Sequence, residues 1–129
     1  LADAIKRVAA EVEDLHGTPI ECVVVGDMKP IVEATALVAA TREAMTNAVL
    51  HGQPPVALYM EITPRDIDVY VRDHGSGLSL DAIPADRHGI RESIVARLKR
   101  VGGNAVFARR EPGTEVHLTL PQKSEVHHD

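Results

Sequence analysis

Aromatic residues are almost absent. Tyr59, Tyr70 and Phe107 are the whole supply, 2% of 129 residues, with no tryptophan. Val, Ile, Leu and Ala must therefore fill the interior, and a 44% apolar content suffices for one core. Cysteine is reduced to Cys22, which excludes an internal disulfide and any cysteine-built zinc site and fits a reducing, cytoplasmic setting. No apolar run approaches the roughly 20 residues of a membrane span, and no signal peptide opens the chain. A basic excess is missing too: 14 Lys and Arg stand against 19 Asp and Glu, a net charge of −5. That balance argues against a surface devoted to nucleic acid or to an anionic membrane, and the scarce aromatics argue against a base-stacking platform. These features argue against a disordered chain, a secreted disulfide scaffold or a membrane-spanning segment here, and the length is that of one domain.

What is present has clear periodicity. Asp3 to Leu15 places Ile5, Val8, Ala9, Val12 and Leu15 at helical spacing, and Gly17-Thr18-Pro19 stops the helix. Ile20 to Val25 is a β-branched run closed by Gly26-Asp27 and reads as a strand. A second helix is expected from Pro30 to His51, ended by Gly52 and Pro54-Pro55. Strands follow at Val56–Ile62 and Ile67–Asp73, joined by the turn Thr63-Pro64-Arg65-Asp66. Residues 74–88 show no period and read as a loop. The third helix then carries Ile90, Ile94, Leu98 and Val101 and is capped by Gly102-Gly103. Strands Ala105–Arg109 and Glu115–Leu120 flank the turn Glu111-Pro112-Gly113, and residues 122–129 form a polar tail in which His127 and His128 receive no role. The order α-β-α-ββ-α-ββ predicts a two-layer α/β sandwich with three helices on one face of a mixed, mostly antiparallel sheet. The abrupt start inside a helix reads as a piece cut from something longer.

Three clusters and one further position carry chemistry. Glu43, Asn47 and His51 lie at i, i+4 and i+8, so their polar groups share a helix face. Ala44, Met45, Ala48 and Val49 around them predict a largely buried helix, where an unpaired polar group costs about 1–3 kcal/mol. An amide oxygen from Asn47 suits a hard cation such as Mg²⁺; solvated polar residues on an exposed face would give the same pattern. In Asp73-His74-Gly75-Ser76-Gly77, Asp73 shares strand phase with Ile67, Val69 and Val71, which aims its carboxylate at the apolar side. A carboxylate so placed can accept a hydrogen bond from an exocyclic amine such as adenine's, although a plain glycine-rich turn has the same spelling. Arg87-His88-Gly89-Ile90-Arg91 opens the third helix, where free N–H groups favour an anion. Residues 87–110 hold seven Lys or Arg against Glu92, a local +6 that leaves −11 on the other residues. This patch suits a polyphosphate or an acidic partner, and for Lys99 and Arg100 also a solvated helix face. Thr114 shares phase with Val116, Leu118 and Leu120, so its hydroxyl points inward and completes the same pocket floor if the last hairpin lies beside the Asp73 strand.

In this order and spacing, the clusters resemble the ATP-binding catalytic domain of sensor histidine kinases, within the superfamily that includes gyrase, Hsp90 and MutL. Glu43-x-x-x-Asn47-Ala48-x-x-x-His51 is similar to the N box, Asp73-x-Gly75-x-Gly77 to the G1 box, His88-Gly89-Ile90-Arg91 to the G2 region, and Gly113-Thr114 to the terminal glycine-threonine. The resemblance covers residues 1–121. The stretch from Gly89 through Gly102-Gly103 to Gly113-Thr114-Glu115-Val116 and Pro121 is especially similar to kinases of the NarL-partner class. Two departures are visible: Arg87 stands at the first glycine of the usual G-x-G, and only Leu78 to Arg87 separate the glycine motifs, without a phenylalanine. The lid is therefore short and has no F box.

The resemblance implies the superfamily's left-handed α/β sandwich, the Bergerat fold, over residues 1–121. It also implies ATP and Mg²⁺ as cofactors. Asn47 would hold Mg²⁺, Asp73 the adenine amine with help from Thr114, and Gly75, Gly77 and Gly89 would shape the pocket. Glu43 would act near the γ-phosphate as the catalytic group, with His51, Arg87, His88 and Arg91 as phosphate-side candidates. The implied reaction is phosphoryl donation to a histidine on an upstream dimerisation domain, with a response regulator as later partner and no nucleic-acid or membrane contact by this segment. The setting is cytoplasmic, with the parent anchored, if at all, through other segments. No histidine here suits the acceptor: His16 ends a helix, His117 lies in a strand, and His51, His74 and His88 belong to the nucleotide site. The segment is expected to bind nucleotide without phosphorylating itself. Two other readings compete: an anti-sigma-factor serine kinase of the same superfamily, and an interaction module that kept the fold but lost ATP.

Overall fold

The computed structural model describes residues 1–29, 31–75, 85–110 and 113–122, with side chains described throughout except at 85–90. The elements run α1 (Ala2–His16), β1 (Ile20–Val25), α2 (Val32–His51), β2 (Val56–Ile62), β3 (Asp66–Asp73), α3 (Ala85–Lys99), β4 (Asn104–Arg109) and β5 (Thr114–Pro121). The sheet order is β1-β2-β3-β5-β4. β1 and β2 pair in parallel, as a connection through α2 allows, and every other neighbouring pair is antiparallel.

Burial follows the strand period of two. Ile67, Val69, Val71 and Asp73 face inward from β3, Val116, Leu118 and Leu120 from β5, and Val56, Leu58 and Met60 from β2. Against this face lie Ile5, Val8 and Val12 of α1, Leu37 and Met45 of α2, and Ile94 and Leu98 of α3. α2 is the central helix, touching both α1 and α3. Ala40, Ala44 and Ala48 form a buried stripe along it, and small side chains let its backbone lie close to its neighbours. Thr41 is buried in the same helix and donates its hydroxyl to the Leu37 carbonyl at 2.7 Å. The expected two-layer α/β sandwich is what the chain forms.

Two helix starts differ from the sequence reading. α2 begins at Val32, with Ile31 extended before it; Pro30 lies outside the described residues. α3 begins at Ala85, so 85–88 are helical where a loop was expected. Its first turn holds no apolar residue in phase with Ile90, Ile94 and Leu98, and apolar period is silent on such a turn. Its end is as expected, with the Gly103 N–H donating to the Leu98 carbonyl at 2.8 Å.

Leu118 is 0% exposed in a strand with neighbours on both sides. Leu118→Ala is expected to cost about 2–5 kcal/mol in urea unfolding. Leu15→Ala, at a residue 78% exposed, should stay within about 0.5 kcal/mol.

Candidate functional site

The site gathers where β3 ends and β5 begins, beside the C-terminus of α2. In the β3–β5 register Asp73 stands opposite Thr114, and in the β4–β5 register Thr114 stands opposite Arg109. Asp73 is 8% exposed, and its Oδ1 accepts the Gly75 N–H at 2.8 Å. Backbone donors of this kind stabilise a carboxylate that has left bulk water.

Two chain segments close on Asp73 because they lack side chains, one against its carboxylate and one against its backbone. A Cβ on Gly52 would stand 2.4 Å from Asp73 Cγ. A Cβ on Gly113 would stand 1.9 Å from the Asp73 carbonyl oxygen, and Gly113 has φ +97°. The segment after α2 is also tied to the segment after β3. The His74 N–H donates to the Gln53 carbonyl at 2.9 Å, and His74 Nδ1 lies 2.7 Å from the Pro55 carbonyl. A carbonyl only accepts, so Nδ1 carries the proton of that contact.

α2 supplies the second half. Asn47 Oδ1 is buried with no hydrogen-bond partner among the described residues. One turn earlier, Glu43 is held to α3: Ser93 Oγ donates to its Oε1 at 3.3 Å, and Arg97 Nη2 lies 3.7 Å from the same oxygen. One turn later, His51 is exposed. The structure thus brings Asp73, Gly75 and Thr114 together at the strand ends and sets Glu43 and Asn47 along α2. Arg91 is elsewhere. Its guanidinium lies 4.7 Å above the Phe107 ring, in a groove between α3 and β4 that Val95 and Ala105 also line. Two and six residues on, Ser93 and Arg97 occupy the opposite side of α3, facing α2.

Gly77 lies outside the described residues, as do the side chains of Arg87 and His88. Gly89 is interior to α3, which corrects the placement of the helix opening at 87–91. The free N–H groups belong to the first turn from Ala85, and the Gly89 N–H is spent on the helix ladder. Sequence reasoning missed Gly52, Ser93, Arg97 and Arg109. Gly52 read as a helix stop, and nothing local reveals that its missing Cβ admits Asp73. Ser93 and Arg97 do share a face at i and i+4, and Arg109 shares strand phase with Ala105 and Phe107, so a weak signal existed for these.

Gly17 and Gly113 separate backbone conformation from contact. Gly17 has φ +68° with nothing within 4 Å of a Cβ, so Gly17→Ala should cost about 1–2 kcal/mol. Gly113→Ala adds an overlap with Asp73 backbone and should cost more than about 4 kcal/mol in the same unfolding assay. Equal costs would contradict the packing of Gly113 on Asp73.

The architecture has parallels. Residues 32–124 match the family model of the histidine kinase-, DNA gyrase B-, and HSP90-like ATPases. No curated protein matches the chain. Solved structures do. The blue-light activated histidine kinase of Erythrobacter litoralis EL346 is 20% identical with a TM-score of 0.66, over 90% of this chain and 43% of its own. The mycobacterial sensor histidine kinase MprB is 19% identical with a TM-score of 0.63, over 92% of each chain. The Acinetobacter baumannii histidine kinase AdeS is 12% identical with a TM-score of 0.72, over 95% of this chain and 64% of its own. At these identities the likeness is one of fold, and this chain spans less than half the length of the Erythrobacter kinase. The family match takes in most of the chain, from α2 through β5, and the chain belongs to the histidine kinase-, DNA gyrase B-, and HSP90-like ATPase family.

Proposed function

We propose that this chain binds Mg·ATP and donates the γ-phosphoryl group to a histidine on a separate, upstream dimerisation domain. It would be the catalytic part of a two-component sensor histidine kinase of the NarL-partner class. The observation that carries this reading is a buried carboxylate, Asp73, in register with Thr114 and beside a helix whose Asn47 Oδ1 is buried and unpartnered among the described residues. Asp73 uses Oδ1 for the Gly75 N–H, and Oδ2 is the acceptor we assign to the adenine amine, with the Thr114 hydroxyl beside it. An unpartnered amide oxygen is a fit ligand for a hard cation that keeps most of its waters and takes its other ligands from phosphates. Bound there, Mg²⁺ would supply positive charge to the phosphate chain.

The chain's own residues do the rest by positioning, which is most of what phosphoryl transfer asks of a protein. Glu43 is oriented by Ser93 and Arg97, and we assign it to the γ-phosphate end of the site. Gly52 and Gly113 keep space at the adenine end. His51, Arg87, His88 and Arg91 remain phosphate-side candidates, and Gly77 and Gly89 pocket-shaping ones. His117 is unsuited as the acceptor, since its Nε2 is 2.7 Å from Asp68 Oδ1 on the opposite face of the sheet. The acceptor histidine, the response regulator and any membrane anchor would belong to other segments or chains. No helix among the described residues is long and apolar enough to cross a membrane.

Calorimetric titration with a non-hydrolysable ATP analogue tests the reading. Binding should be enhanced by Mg²⁺, and Asp73→Asn should weaken it by about 10- to 100-fold, the loss of one charge-assisted hydrogen bond. Asn47→Ala should remove the Mg²⁺ enhancement. A GTP analogue, with a carbonyl where adenine has its amine, should bind poorly. Unchanged affinity in Asp73→Asn would refute the assignment. The chain incubated alone with Mg·ATP should acquire no phosphohistidine, whereas a stable complex with a sigma factor and phosphorylation of a protein serine would favour the anti-sigma-factor kinase reading.

A further inference from the structure

The helices pack on one face of the sheet, and the strand registers order the side chains on the other. One row crosses all five strands. Val23 pairs with Tyr59, Tyr59 with Tyr70, Tyr70 with His117, and His117 with Val106. Four inter-strand gaps make this row about 19 Å long. The rings touch along it: Tyr59 and Tyr70 have centroids 6.2 Å apart, and Tyr70 stacks on His117 at 4.2 Å. Val23 is 47% exposed, Tyr59 39% and Val106 53%, with exposed Val25 beside them. Both tyrosines of the chain therefore sit on the face the helices leave bare. Tyrosine there offers a large apolar surface with a polar tip, as protein interfaces favour.

The flanking rows carry charge. On one side stand Glu61 and Asp68 with Val25, Thr119 and Asn104; on the other stand Glu21, Arg72 and Glu115 with Ala57 and Ala108. Glu115 is paired with Arg110 at 2.7 Å and Asp68 Oδ1 lies 2.7 Å from His117 Nε2; with Arg72 the one Lys or Arg in these rows, the acidic excess is carried by Glu21, Glu61 and the neighbouring Asp66. Neighbouring groups register this field. Burial raises the Tyr70 pKa, and the negative charges of Asp68, Glu115, Glu61 and Asp66 raise it further. Asp66 is raised by its hydrogen bond with Asp68, by desolvation and by the charge of Asp68.

We propose that this face is a docking surface for a partner protein segment presenting a line of apolar side chains about 19 Å long, flanked on both sides by Lys or Arg. Charge complementarity selects that occupant. A second copy meeting this face with its own would set carboxylates against carboxylates, and a nucleic acid would bring phosphates to them. Basic flanks satisfy the acids while the apolar line covers Val23, Tyr59 and Val106.

The test uses the whole chain and three synthetic peptides of equal length. The first has a line of leucines flanked by lysines, the second the same leucines flanked by glutamates, and the third the lysines with serine for leucine. Binding is followed by amide NMR. The Leu/Lys peptide should shift Val23, Tyr59, Tyr70, His117 and Val106, and the other two peptides should bind at least tenfold more weakly. The double variant Val23→Ser/Tyr59→Ser should weaken the Leu/Lys peptide at least tenfold, and Glu21→Gln/Glu61→Gln at least threefold. These side chains point to solvent, so far-UV circular dichroism should stay at wild type in both. Each of these results overturns the proposal: no Leu/Lys binding, shifts centred on the Arg91–Phe107 groove, equal binding by the Ser/Lys or Leu/Glu peptide, or wild-type affinity in either double variant. An oligothymidine that shifts the same row would assign it to nucleic acid instead.

Discussion

Asp73 is a carboxylate at the end of a strand whose other inward residues, Ile67, Val69 and Val71, are apolar and almost wholly buried. Holding it there makes demands in three directions. Its Oδ1 takes a backbone N–H from Gly75. Gly52 leaves room for the carboxylate, and Gly113 lets β5 start against the Asp73 backbone. The β5 register then sets Thr114 directly across from it. A buried carboxylate without such partners would be costly, so the turn after β3, the end of α2 and the start of β5 are all shaped by one group.

The rest of the molecule separates its charges by face. Between the inner face of the sheet and α2, the buried polar groups among the described residues include Thr41, Asp73 and the Asn47 amide oxygen. The basic residues concentrate between 87 and 110, on α3 and the β4 edge. The outer sheet face is acidic and carries the tyrosines. A chain with a net charge of −5 can therefore carry a basic helix on one side and an acidic sheet face on the other. Net charge describes neither surface.

Much of the fold was legible because its period is clean. β1 and β2 were bounded correctly from β-branched runs and the glycines and prolines around them, and the inward aim of Asp73 followed from counting by twos along β3. The parallel β1–β2 pair follows from the intervening helix. The opening turn of α3 was not legible, since 85–88 offer no apolar residue in phase with Ile94 and Leu98. At the site, residue types and spacing exposed Asp73 and Thr114 but not what surrounds them. That Gly52 touches Asp73, or that Ser93 and Arg97 reach Glu43 from a different helix, is a matter of tertiary distance. For Arg91 the sequence offers a basic residue early in α3, and only the tertiary structure shows its guanidinium over the Phe107 ring.

The central claim is that adenine and the metal meet this chain at Asp73 and Asn47. The most direct measurement is an NMR titration of the labelled chain with the ATP analogue, first without and then with Mg²⁺. The account predicts that nucleotide shifts the Gly75 and Thr114 amides, and that Mg²⁺ then shifts the Asn47 side-chain amide. Saturable binding that leaves Gly75 and Thr114 unmoved, with changes centred on the α3–β4 groove, would contradict it.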